Sequence, residues 1–153
     1  MSDAENETRD RYPHFADLQT RWSDNDIYGH VNNVTYYSYF DTVVNCFLIE
    51  AAGLDIQEGP EIGYAVETKC KFNKPVAYPE PLDAGLRVGR IGNSSVRFEI
   101  GIFRKGDNDA AAAGHFIHVF VDRATGKPVT IPDKIRGALE RILAPTSSAS
   151  SGA

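Results

Sequence analysis

The stretch Asp24-Asn25-Asp26-Ile27-Tyr28-Gly29-His30-Val31-Asn32-Asn33 is the densest polar cluster in the chain, and it stands directly before a long run of helical spacing. Backbone N–H groups at a helix start lack intrahelical acceptors and carry partial positive charge, so they can stabilise an oxyanion developing on a carbonyl. A carboxylate in the loop leading to that start could act on the same carbonyl from the other side. These are the minimal parts of acyl transfer to water: a base or nucleophile, and an oxyanion site. The same residue types also build ordinary loops and helix caps. On residue type alone both readings stay open.

The other reactive residue types are scattered. His115 and His118 are three apart in a predicted strand and so face opposite sides, which argues against shared metal ligation. Cys46 and Cys70 are too isolated for a disulfide scaffold or zinc knuckle and read as buried thiols. His14 falls in a polar N-terminal segment and supports no assignment. No cluster implies a metal or an organic cofactor.

The elements that would position the polar cluster follow from periodicity. Asn32 or Asn33 is the expected N-cap. Val34, Tyr37, Phe40, Val44, Phe47, Leu48 and Ala51 then recur at three- and four-residue intervals, which predicts a helix with one buried stripe, ended by Gly53. Its β-branched residues weaken intrinsic helicity, so packing must hold it, as in a central helix. The aromatics Tyr36, Tyr37, Tyr39, Phe40 and Phe47 suit core and subunit packing, or the lining of an acyl pocket. Upstream, Ala16, Leu18, Thr20 and Trp22 share one face of a predicted strand.

Downstream the period is two. Tyr64, Val66, Thr68, Cys70 and Phe72 fall on one face, closed by Lys74-Pro75. Leu82, Ala84, Leu86 and Val88 continue the pattern. Turns at Gly92-Asn93-Ser94 and Lys105 to Asp109 separate them from Val96, Phe98, Ile100 and Ile102, and from a last strand over about 110–121. Ile131-Pro132-Asp133 opens a short terminal helix with Ile135, Leu139 and Ile142 on one face. Strands joined by tight turns imply an antiparallel sheet, and one long helix must pack on it, so the fold class is α+β.

The chain has 153 residues, 42% of them hydrophobic, enough for one domain held by packing alone. Residues 1–14 and 144–153 are too polar to bury and are expected to be disordered tails around a domain of 15–143. The net charge of −5, with Lys and Arg scattered singly, disfavours nucleic acid as a partner. No apolar run approaches the roughly 20 residues of a membrane span and no export signal is visible, so the expected location is cytoplasmic.

The run D-N-D-I-Y-G-H-V-N-N-V-T-Y-Y-S-Y-F-D resembles the signature of hotdog-fold acyl-CoA thioesterases, the 4-hydroxybenzoyl-CoA thioesterase-like group, which carries D-x-D-x-x-G-h/H-V-x-N-x-x-Y before its central helix. K-F-N-K-P-V and the turn-linked strands over 82–122 fit as well, and the resemblance covers about residues 15–143. It implies an antiparallel sheet wrapped around one long central helix, with a short C-terminal helix. It implies Asp26 as the catalytic nucleophile or general base, and the Asn33 backbone amide as the oxyanion donor. His30 would orient a water or Asp26, while Asp24 would be structural. Gly29 and Tyr36 would be substrate-binding, Gly29 by close backbone approach or merely as a turn. The implied partners are an acyl-CoA or an acyl carrier protein thioester, with Lys71, Lys74, Arg104 and Lys105 as candidates for the CoA phosphates. A homodimer or homotetramer is expected, because the family's active sites lie between protomers. A hotdog hydratase or dehydratase is a weaker fit, since Asp26 and His30 are four apart with no proline between them. A non-enzymatic acyl-CoA-binding protein is the third reading.

Overall fold

The computed structural model describes residues 7–144. Its elements are β1 (His14–Gln19), α1 (Asn33–Glu50), β2 (Glu61–Phe72), β3 (Pro81–Ile91), β4 (Ser95–Arg104), β5 (Ala112–Asp122) and α2 (Asp133–Arg141), with 3-10 turns at Arg9–Arg11 and Trp22–Asp24. The strands form one five-stranded antiparallel sheet in the order β1-β3-β4-β5-β2. This is the hotdog arrangement, with α1 held against one face of the sheet.

Alternation in β3 and β4 sets that face directly. Leu82, Ala84, Leu86 and Val88, with Val96, Phe98, Ile100 and Ile102 across the hairpin, are all buried, and Phe116 and Phe120 of β5 join them. From α1 they receive Tyr36, Tyr39, Phe40, Val43, Val44, Phe47 and Leu48. The buried face of the helix is therefore broader than the expected stripe and rotated from it. Val34 and Ala51 are exposed, whereas Tyr36, Tyr39 and Val43 are inside. Ile135, Ala138 and Leu139 of α2, with Ile142 just after it, close the end of the core.

Three further expectations change. In β2 the pairing with β5 shifts register between Ala65 and Glu67. The bulge at Val66 puts Gly63, Ala65, Thr68, Cys70 and Phe72 on the helix side and sends Tyr64 to the other, so the alternation read through Val66 fails there. Upstream, β1 ends at Gln19, and Trp22 begins a 3-10 turn with its side chain 80% exposed rather than sharing a strand face with Leu18. Cys46 is exposed on α1, not buried; Cys70 is half-buried, and burial pushes its thiol up to about 12.

Packing also begins before Phe15. Residues 7–13 cross the outer face of the sheet, where the paired glycines Gly85 and Gly101 leave a trough. The Tyr12 ring fills it, and a Cβ on either glycine would come within 2.7 or 2.9 Å of that ring. Glu7 is buried with it, accepting from Tyr12 Oη at 2.9 Å and from Arg87 at 2.8 Å, while Arg87 also binds Glu99 at 2.6 Å and lies over the Tyr12 ring. A mostly polar segment is thus fixed by one aromatic ring and an ion-pair network that no local pattern announces. His14 is the first residue of β1, its ring packed on Phe47. The rest of the expected tails, residues 1–6 and 145–153, lies outside the described residues.

Candidate active site

One end of the molecule is built by the start of α1 and the loop before it. Asn32 is the N-cap: its Oδ1 accepts from the Val34 N–H at 3.0 Å and its carbonyl from the Thr35 N–H at 2.8 Å. Neither bond takes the Asn33 N–H.

The loop is anchored by Asp24, which is buried. Its carboxylate accepts from the Tyr39 hydroxyl at 2.7 Å, from the Arg21 N–H at 2.8 Å and from the Arg21 guanidinium at 2.9 and 3.1 Å. Burial alone would raise the Asp24 carboxyl, but the hydrogen bonds from Tyr39 and Arg21 outweigh it and hold the group below the usual carboxylate range. The Asp24 carbonyl in turn accepts from the Asn32 N–H at 2.9 Å. Asp24 thereby ties the loop to the body of α1 and is structural.

Asp26 sits half-exposed at the turn that follows. Its N–H donates to the His30 carbonyl at 2.9 Å, its carbonyl accepts from the Gly29 N–H at 3.0 Å, and its Oδ1 accepts from the Tyr28 N–H at 2.9 Å. Gly29 closes this turn at φ 84°, in the left-handed region, while a Cβ there would meet nothing within 4 Å. Glycine is needed there for its backbone angle.

A second segment forms the opposite wall. The Val31 N–H donates to the Val76 carbonyl at 2.8 Å, and Asn25 Oδ1 accepts from the Tyr78 N–H at 2.9 Å. Between the two segments lies a cleft of about 380 Å³ lined by Asp26, Tyr28, His30, Val31, Asn33 and Tyr36 on one side and Phe72, Asn73, Lys74 and Pro75 on the other. Asp26, His30, Asn33 and Tyr36 are thus brought together in one cavity; Gly29 is not among its lining residues. Tyr36 is buried, edge-on to Phe72 at 5.0 Å between ring centroids, and burial pushes its phenol up to about 12, so it is a neutral hydroxyl at ordinary pH. Phe72 was missed as a site residue because alternation assigns it to the core. The signal that finds it is its place at the end of a strand just before Asn73-Lys74-Pro75.

Of the basic candidates, only Lys74 reaches the cleft, 3.2 Å from Asp107. Arg104 lies just behind that wall, donating to the Pro75 carbonyl at 2.9 Å and lying 2.9 Å from Glu80. Lys105 is held between Asp17 and Asp83 at 2.8 and 2.5 Å. Lys71 stands on the opposite face of β2 from Phe72. His115 and His118 do face opposite sides of β5: His115 binds Glu67 at 2.7 Å, while His118 is in the core between Phe98 and Phe116.

A loop carboxylate, a helix start and a partly apolar wall therefore share one cleft. The model of the thioesterase-like superfamily matches residues 20–139. The PA5185 protein of Pseudomonas aeruginosa strain PAO1 is 53% identical over 90% of this chain and 96% of its own, and its crystal structure superposes with a TM-score of 0.89. The PA2801 protein of the same species is 31% identical over 84% of this chain and 98% of its own, with a TM-score of 0.78. Slr0204, a 1,4-dihydroxy-2-naphthoyl-CoA thioesterase from Synechocystis, shares the fold at 16% identity, 86% and 98% coverage and a TM-score of 0.75. The chain belongs to the thioesterase-like superfamily and is a thioester hydrolase of the hotdog fold. Among the described residues no helix is long and apolar enough to cross a membrane.

Proposed function

We propose that this chain hydrolyses an acyl-CoA to the free acid and CoA, acting in the cytoplasm, with an acyl carrier protein thioester as the variant substrate. The observation that carries this reading is that Asp26 and Asn33 line the same cleft. A thioester carbonyl placed between them meets a carboxylate on one side and the positive end of α1 on the other. Asp26 either attacks the carbonyl, giving a mixed anhydride that water then opens, or takes a proton from the attacking water. In both routes the Asn33 N–H receives the oxyanion and CoA leaves as the thiolate. His30, exposed at the cleft rim, positions the water or the Asp26 carboxylate, and Tyr36 with Phe72 forms the wall against the acyl group. Gly29 acts indirectly, by shaping the turn that carries Asp26.

The unit is a homodimer or homotetramer. Strand β2 is a sheet edge carrying exposed Tyr64, Val66 and Phe72, the last of which lines the cleft, and an exposed apolar edge strand is a pairing surface. The test of the catalytic reading is Asp26→Asn. Free-thiol release from an acyl-CoA panel is expected to fall at least a hundredfold while the circular-dichroism spectrum and melting temperature stay put. Wild-type turnover in Asp26→Asn overturns the assignment.

A further inference from the structure

The loop that carries Asp26 also displays aromatic surface that the hydrolytic site leaves unused. Trp22, the only tryptophan in the chain, is 80% exposed, and its ring meets the Tyr78 ring edge-on at 6.1 Å between centroids. Tyr78 is not a free neighbour: its N–H is held by Asn25, next to Asp26, so the pair is fixed relative to the cleft. Cations lie along the same wall. Lys74 and Pro75 line the cleft, and Arg104, half-exposed, donates to the Pro75 carbonyl on the segment that continues to Tyr78. Along this segment Lys74 at the cleft, Arg104 held at Pro75 and the exposed indole at Tyr78 thus follow one another in the chain, as the phosphates and base of a nucleotide-bearing thiol follow its thioester carbonyl.

We propose that the Trp22–Tyr78 pair is the platform on which the adenine of the CoA portion stacks, with Lys74 and Arg104 facing its phosphates. The proposal rests on the acyl-CoA reading above and makes the carrier, CoA rather than acyl carrier protein, the preferred substrate form. An exposed indole beside cations is the usual composition of a base-stacking site, because every base offers a π-face and the phosphates need countercharge.

The single tryptophan makes the test direct. Titrating the full-length protein with CoA, and with 3′-phosphoadenosine 5′-phosphate, is expected to quench Trp22 emission, whereas pantetheine, which lacks the nucleotide, is not. In steady-state assays, Trp22→Ala is expected to lower roughly tenfold the ratio of kcat/KM on an acyl-CoA to kcat/KM on the matching acyl-N-acetylcysteamine, through KM, and Trp22→Phe to restore most of it. An unchanged ratio in Trp22→Ala with no quenching by millimolar CoA overturns the proposal. So does emission that follows protein concentration but not CoA, which assigns Trp22 to a subunit contact. If CoA quenches Trp22 but neither thioester is hydrolysed, the nucleotide platform stands and the hydrolase reading of the cleft fails.

Discussion

His118 buries an ionisable ring among aromatic side chains, and the consequence is measurable. The side chain is 2% exposed, edge-on to Phe98 and stacked on Phe116, and neither ring nitrogen has a hydrogen-bond partner among the described residues. Burial lowers its pKa from 6.5 to about 4, the charge of Asp41 opposing this weakly. A histidine that is harder to protonate in the fold than in the unfolded chain contributes stability that is complete above pH 6.5 and lost as pH falls toward 4, because there the unfolded state binds the extra proton. At about 1.36 kcal/mol per tenfold change, the fold should lose about 2.5 kcal/mol between pH 7.5 and 4.5 from this residue alone, a large share of a typical 5–15 kcal/mol. The depressed carboxylates Asp24, Asp83 and Glu99 act mainly below this window, since each contributes stability that is lost only as pH drops through its lowered value. Urea unfolding at pH 7.5, 6.0 and 4.5 measures the slope in wild type and in His118→Leu. The variant should lose most of the slope, and at pH 7.5 it should be at least as stable as wild type, since two buried unsatisfied nitrogens disappear. An unchanged slope in His118→Leu, or a loss beyond about 2 kcal/mol at pH 7.5, would show that the imidazole has a partner and refute this account.

Other perturbations test the frame around the site. Tyr12→Ala should cost about 3 kcal/mol by urea unfolding, since it empties the trough over Gly85 and Gly101 and strips Glu7 of one donor. Tyr39→Phe should cost about 1–2 kcal/mol and move acid unfolding to higher pH, because Asp24 loses the hydrogen bond that most strongly holds its carboxyl down. Gly29→Ala should cost about 1 kcal/mol in melting experiments from backbone strain alone, and Gly29→Asn less, because the position is open and only its angle is demanding.

Where a pattern is local and uninterrupted, the fold could be read in advance. Leu82 to Val88 of β3 and Val96 to Ile102 of β4 are recovered by alternation, though not Ile91, which lies beyond a register shift after Val88, and Phe40, Val44, Phe47 and Leu48 are recovered by helical spacing. Alternation failed at Val66 because a bulge adds one residue without any composition mark, and every side chain beyond it changes face relative to those before. Helical spacing started from Val34, which is exposed, and so drew the stripe through Tyr37 instead of the buried Tyr36 and Tyr39. Tyr39 can be buried only because Asp24, fifteen residues earlier, receives its hydroxyl. Glu7 and Tyr12 were unreadable for a related reason: what buries them is Gly85 and Arg87 of β3 and Gly101 of β4, all distant in the chain.

The same division runs through the site. Asp26, His30, Asn33 and Tyr36 belong to one loop and the first turn of one helix, so their proximity follows from local geometry and was legible. Phe72, Lys74 and Pro75 reach the cleft only because β2 ends there and the Val31–Val76 and Asn25–Tyr78 hydrogen bonds join the two segments. The groups proposed for chemistry are therefore encoded in one contiguous stretch, while the opposite wall of the cleft comes from another. Substitutions at Phe72 or Lys74 should accordingly change which thioester is accepted, through KM, while leaving the Asp26 turn and its hydrogen bonds intact.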